Sequence, residues 1–220
     1  MFEKNLEFLE EEETERIRGV RAAVIGLGAL GQMAAHELVR GGMERLTLVD
    51  GDVMEQSNLN RQLYADILTL HHPKAEILSE RLGDISPRLK IKSYPVFLDR
   101  MNAGDILRDA DMILDCVDNI HAKLYLEEAA EALGIPLIHG AVEGWCGQAA
   151  VIYPGDRLLS VVYEKQREQK RAALMPAVGV IASVQACEAL KIAAGKKCAL
   201  QGKLFCADLL NSEFECIPFS

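Results

Sequence analysis

The stretch Ala22-Ala23-Val24-Ile25-Gly26-Leu27-Gly28-Ala29-Leu30-Gly31 decides the fold. A short apolar run, of strand length, leads straight into glycines spaced G-x-G-x-x-G. A helical stretch then runs to Arg40, where Gly41-Gly42 stops it. The first glycine permits a tight turn, the second lets the backbone approach a phosphate, and the third lets the helix pack closely on its strand. Amides at the helix start then face an anion, with the helix dipole in support. Leu46-Thr47-Leu48-Val49 reads as a second buried strand ending at Asp50, an acid placed to accept hydrogen bonds from ribose hydroxyls. Together these form a βαβ unit whose expected role is to bind a nucleotide, the plainer reading being a turn that binds nothing.

The same rhythm continues outward. Lys74 to Leu82 reads as a helix, Leu89 to Val96 contains a strand, and Met112-Ile113-Leu114 is a very apolar strand ending at Asp115. Ile120 to Leu133 is helical with Gly134 as its cap, and two further strands lie at Pro136 to His139 and Gln148 to Tyr153. Pro176 opens a long small-residue helix through Ala194, and Lys203 to Leu210 and Glu213 to Pro218 look like terminal antiparallel strands. The pattern specifies an α/β, Rossmann-like fold: a mainly parallel sheet with helices on both faces. A chain of 220 residues, half of them hydrophobic, suits a single domain spanning 1–220. Its edges are a charged helix over 1–19, anchored by Phe2, Leu6, Leu9 and Ile17, and a polar crossover over 155–173.

The segment after Asp50 separates ATP from NAD. It reads Gly51-Asp52-Val53-Met54-Glu55-Gln56-Ser57-Asn58-Leu59-Asn60-Arg61-Gln62, a polar stretch that a plain dehydrogenase does not need. Lys74 follows at a helix start. Arg61 and Lys74 suit a triphosphate, because guanidinium and ammonium groups match and neutralise phosphate oxygens, and Asn58 and Gln62 add neutral hydrogen bonds. Further on, Leu114-Asp115-Cys116-Val117-Asp118-Asn119 puts two carboxylates after an apolar strand, at the sheet edge where the nucleotide sits. Magnesium takes one or two carboxylates together with phosphates and waters. The plainer readings are an N-cap aspartate for the helix from Ile120 and a surface ion pair for Lys74.

These stretches resemble the ThiF/MoeB/HesA family, bacterial relatives of ubiquitin-activating enzymes. The resemblance rests on VIGLGALG, LVDGDVMEQSNLNRQ, the lysine of HHPKAE, ILDCVDN, IHGAVEGWCGQ and the late MPAVGVIASVQACEALKIAAGK, from about Arg21 to Lys196 with a break around 155–173. It implies that Gly26, Gly28 and Gly31 line ATP, that Asp50 holds the ribose, that Asn58, Arg61 and Lys74 contact the phosphates with Gln62 in support, and that Asp118 holds Mg²⁺. It implies catalysis by Arg61, Lys74 and Asp118: the C-terminal glycine carboxylate of a small ubiquitin-like or sulfur-carrier protein attacks the α-phosphate, giving an acyl-adenylate and pyrophosphate. It also implies a homodimer.

Some features depart from the family pattern. Its N-terminal arginine has no match, since Arg16 and Arg18 lie too close to the first strand; Arg167 and Arg171 of the crossover are candidate substitutes. The crossover has no cysteine, which argues against a thioester or persulfide step there, and no CxxC pair supports zinc. Cys146, between Trp145 and Gly147, reads as structural rather than reactive, Cys116 as inward-facing, and His71, His72 and His139 as structural or surface residues. The net charge of −9 argues against nucleic acid, including the modified-tRNA branch of the family, and against anionic membranes. With no signal-like start and no apolar run read as long enough to span a bilayer, the expected address is the cytoplasm. Two other readings stay open: an NAD-dependent oxidoreductase, and a noncatalytic nucleotide-binding module of the same fold.

Overall fold

The structure, a computed structural model, describes residue 4, residues 8–163 and residues 172–219. One eight-stranded sheet runs through it. Strands β1 (Arg21–Ile25), β2 (Arg45–Val49), β3 (Lys90–Tyr94), β4 (Met112–Asp115) and β5 (Leu137–Glu143) are parallel, and β6 (Cys146–Ile152), β7 (Lys203–Asp208) and β8 (Glu213–Pro218) continue the sheet antiparallel, in the order β3-β2-β1-β4-β5-β6-β7-β8. The expected α/β class, with a Rossmann-like parallel half and antiparallel terminal strands, is what the chain forms. The turn from parallel to antiparallel comes one strand earlier than the two terminal strands alone would put it. Gly144-Trp145 is a two-residue hairpin with Gly144 at φ 57°, so β5 and β6 must run in opposite directions.

Side-chain alternation builds a core on each face. Ala22 and Val24, Leu46 and Leu48, and Met112 and Leu114 point to one face, where α2 (Ala29–Arg40), α3 (Lys74–Gly83) and α7 (Met175–Ala193) pack. Ala23, Ile25, Val49 and Ile113 point to the other, which is covered by α4 (Ala103–Ile106), α5 (Ile120–Leu133) and α6 (Leu158–Tyr163). By length and composition α7 is long and apolar enough to cross a membrane, which the sequence expectation had denied of any run. In this fold Ile181, Ala182, Ala186 and Ala189 bury that apolar face in the core, and Val178 is buried beside them on the helix.

Two edges differ from expectation. Among the described residues the N-terminal helix α1 covers Glu11–Gly19, where Glu10 and Glu13 form a capping box that sets its start. Ile17 and Leu9 pack on the core, while Phe2 and Leu6 lie outside the described residues. In the crossover, residues 158–163 are helical: the Glu127 carboxylate of α5 accepts the Leu159 and Ser160 amides at 2.7 and 3.1 Å and so caps α6. At its end the crossover meets the sheet at Ala173, which is bridged to the hairpin glycine Gly144. Arg167 and Arg171 lie outside the described residues.

Candidate nucleotide and carboxylate site

The strand order places β2 on one side of β1 and β4 on the other, so the chain reverses direction across the sheet at the β1/β4 seam. Ligands of open α/β sheets bind outside the C-terminal strand ends at such a point. Three loops meet there: the glycine turn after β1, the Asp50 segment after β2, and residues 116–119 after β4.

The glycine turn is built by close approach. Gly26 has φ 86°, and a Cβ on it would lie 2.8–2.9 Å from the backbone of Cys116 and Val117, so the turn rests directly on the loop that leads to Asp118. At Gly31 a Cβ would collide with the Gly26 carbonyl, which is why the helix can start so tightly. Gly28, the N-cap of α2, has no such neighbour; the nearest atom to its Cβ position is Gln62 Nε2 at 4.0 Å. Its side is open for a ligand.

Asp50 is buried and latches the turn: its two oxygens accept the Leu27 and Asp52 amides at 2.6 and 2.7 Å. Burial raises its pKa, with Lys74 and these amides opposing the rise. Lys74 is also buried, and its ammonium donates to Asp52 Oδ2 at 2.9 Å, leaving two of its three protons for a ligand. Gln62 belongs to the same assembly, because Gln32 donates to Gln62 Oε1 at 2.9 Å and to the Leu27 carbonyl at 3.0 Å. Asn58 is buried and occupied, its Oδ1 accepting the Glu55 amide at 2.9 Å, so it shapes the segment.

Arg61 and Asp118 stand apart in the free protein. Arg61 donates to the Ser57 carbonyl at 2.7 Å and to Asn60 Oδ1 at 3.0 Å. Asp118 is exposed at the β4–α5 turn. Among the described residues no hydrogen bond or ion pair joins either of them to Lys74. Asn119, next to Asp118, is the N-cap of α5, accepting the Ala122 amide at 2.8 Å.

The other acid of this motif has a different fate. Asp115 is fully buried, and both its oxygens pair with Lys123 Nζ at 3.2 and 3.1 Å, while His139 Nδ1 meets Oδ2 at 2.7 Å. Burial alone would raise its pKa, but Lys123 and the His139 bond outweigh that and hold the carboxyl low. His139 is pushed down by burial and by Lys123, so it is neutral and donates from Nδ1. Asp115 is therefore spoken for, and among the described residues Asp118, the one expected to hold Mg²⁺, is the carboxylate of this motif with a free head. His139 matches its structural reading. Cys116 is buried, which pushes its thiol up, whereas Cys146 is exposed.

Sequence reasoning missed Asp52, Gln32 and Lys123. Each carried a signal: Asp52 is an acid two residues past Asp50, Gln32 is a lone amide in the apolar first turn of α2, and Lys123 sits one helical stretch beyond Asp115. It also missed Phe97. That ring is 66% exposed and lies against Gly51, where a Cβ would come within 2.6 Å of it.

The ThiF family matches residues 2–220. The chain belongs to the ThiF family. It is 33% identical over 207 residues to the molybdopterin-synthase adenylyltransferase of Escherichia coli, covering 91% of this chain and 83% of that one. It is also 33% identical to the sulfur carrier protein adenylyltransferase of Thermus thermophilus, over 91% and 79% of the two chains, and 28% identical to the SAMP-activating enzyme E1 of Haloferax volcanii, over 93% and 78%. Among solved structures, E. coli MccB with MccA-N7isoASN superposes with a TM-score of 0.83 at 14% identity, over 95% of this chain and 67% of that one, which establishes the shared fold. Membership of a family of named adenylyltransferases agrees with the ATP reading of the 51–62 segment, and the NAD reading has no such support.

Proposed function

We propose that this ThiF-family protein uses ATP and Mg²⁺ to adenylate a carboxylate, the C-terminal glycine of a small ubiquitin-like or sulfur-carrier protein. The observation that carries the reading is the meeting of a glycine turn, a latched acid, a buried lysine with unused protons and an exposed carboxylate at one sheet edge. The names of the adenylyltransferase relatives support it. In this reading the amides at Gly28 and the start of α2 receive phosphate oxygens, Asp50 accepts from the ribose with its remaining lone pairs, and Phe97 offers a face to the base. Lys74 neutralises the phosphates, and Arg61 joins it by turning from the Ser57 carbonyl.

Asp118 fits Mg²⁺ as one exposed oxygen donor. Among the described residues no group of three ligating side chains exists, which suits an ion completed by phosphates and waters rather than a protein cage. Bound there, the ion would supply charge neutralisation on the polyphosphate. The carboxylate is already a nucleophile at neutral pH, so no general base is needed. Its oxygen bonds to the α-phosphorus, the bond from that phosphorus to the bridging oxygen breaks, and the electron pair leaves on pyrophosphate. The chain's part is to align the reactants and hold charge in place.

The reading includes a cytoplasmic setting, where ATP is present and the six free cysteines stay reduced. It also includes a homodimer: Ile67 and Leu68 are each 79% exposed close to Arg61 in sequence, apolar surface that a second copy would cover. Light scattering tests this part, and a species of 24.2 kDa would remove it. The activity is tested by ATP–pyrophosphate exchange with a candidate carrier ending in Gly-Gly. Exchange that requires both the carrier and Mg²⁺ is expected. Thermal stabilisation by NAD and not by MgATP would overturn the reading.

A further inference from the structure

A closed polar network lies directly under the Asp118 loop, and no step of the proposed reaction uses it. Lys123 Nζ spends its three protons on the two Asp115 oxygens and on the Gly140 carbonyl at 2.9 Å. Asp115 Oδ1 accepts one more bond, from the Val117 amide at 3.2 Å. That amide precedes Asp118. On its far side the network continues: His139 Nε2 faces Gln148 Nε2 at 3.2 Å and the Tyr163 hydroxyl at 3.4 Å, and Gln148 donates to that hydroxyl at 2.8 Å. Tyr163 is the last residue of α6. From α7, Gln185 donates to the Asp115 and Ile138 carbonyls at 3.0 and 2.9 Å and pins the two strand ends together.

Stability alone is a poor account of this arrangement. Apolar side chains of similar volume serve a core as well as a buried ion pair or better. What Leu or Met at these positions would not supply is a fixed acceptor for the Val117 amide. The same two residues, Cys116 and Val117, carry the glycine turn on their backbone. Whatever fixes them sets the turn and the Asp118 carboxylate in one frame.

We propose that Lys123, Asp115 and His139 form the positioning base of the Asp118 loop, with His139 as the residue that ties this loop to α6. The proposal rests on the reading of Asp118 as a magnesium-holding group. His139 touches no reacting atom; it acts by holding the Asp115 carboxylate in the orientation that receives Val117. Groups that orient metal-binding residues in this way change metal affinity about 10- to 100-fold when removed.

The test compares His139→Leu with His139→Asn, because an asparagine amide keeps a donor near the Nδ1 position while giving up the contacts to Gln148 and Tyr163. Two quantities are read: amide exchange at Val117 by NMR in the free protein, and the Mg²⁺ concentration that half-saturates ATP binding by calorimetry. His139→Leu is expected to speed Val117 exchange and raise the Mg²⁺ requirement, each by about tenfold, with His139→Asn recovering most of both. Binding of ATP without metal should weaken by less than the Mg²⁺ requirement rises, because the Asp50 latch on the Leu27 amide still holds the glycine turn from its other side. If His139→Leu does not fold, Tyr163→Phe keeps the ring and removes one support of the imidazole, and is expected to shift both quantities in the same direction by less. A folded His139→Leu protein, or in its place Tyr163→Phe, with Val117 exchange and Mg²⁺ requirement within about twofold of the wild type would overturn the proposal. Equal effects of the leucine and asparagine variants would overturn it as well. Failure of the wild type to bind MgATP would sink the reading of the Asp118 loop instead, and the Val117 exchange would still judge the network on the free protein.

Discussion

Asp115 and Asp118 are the same residue type, three positions apart, in opposite environments. Asp115 closes a buried network in which every polar atom has a partner, whereas Asp118 stands exposed at the turn just above it. The difference follows from phase along one strand. Asp115 lies two residues past Ile113 and so points to the same face, beneath α5; Asp118 comes after the strand has ended and the backbone has turned outward. A carboxylate locked below gives position, and a carboxylate left free above can take a cation.

The sharpest way to break the comparison is to remove a partner from below. Lys123→Met leaves Asp115 buried without its cation, held only by His139 and the Val117 amide, and should cost about 3–5 kcal/mol in urea denaturation. A loss under about 1 kcal/mol would mean that water or another cation reaches Asp115. Removing the free carboxylate from above should do the reverse: Asp118→Asn is expected to leave stability within about 0.5 kcal/mol of the wild type, as surface changes do, while pyrophosphate exchange falls by about a hundredfold or more.

Acid gives a smaller, graded probe. The folded-state pKa of His139 is depressed, so below about pH 6.5 the unfolded chain binds a proton that the folded chain refuses. Stability then falls with falling pH, by at most about 1.4 kcal/mol per unit for this group. His36, also depressed by its burial and by Arg40, adds a slope of the same sign. Denaturation at stepped pH should show His139→Asn with a shallower slope than the wild type between roughly pH 6.5 and 5. Asp115 acts with the same sign lower down: its depressed pKa contributes stability that is present above the usual carboxylate range and lost as pH falls through the folded value. The smallest effect belongs to the surface. Arg100 pairs with Glu128 at 2.6 Å with both side chains largely exposed, so Arg100→Ala should change stability by less than about 1 kcal/mol, measured in the same denaturation series.

Much of the upper region was legible in the sequence, because turns and strand ends are written in local patterns. Gly26-Leu27-Gly28 after four apolar residues and Asp50 after Leu46 to Val49 each declare their geometry within a few positions, whereas the cap of α5 is Asn119 and not the expected aspartate. The lower region is written nonlocally. Lys123 looks like a surface residue of an ordinary helix until β5 brings His139 and Gly140 beneath it. The pairing of Asp52 with Lys74 spans a long excursion of irregular backbone that no periodicity describes. The strand alternation did carry one usable clue: Asp115, in phase with Ile113, had to face the core and so had to find a partner there.

The most direct measurement is a crystal structure of the complex with Mg²⁺ and a nonhydrolysable ATP analogue. The account predicts the polyphosphate over the Gly26–Gly31 turn, within hydrogen-bond reach of Lys74 and of an Arg61 that has left the Ser57 carbonyl, with the cation on Asp118. A nucleotide seated elsewhere, or bound over the turn with Arg61 still on Ser57 and no cation at Asp118, would contradict it.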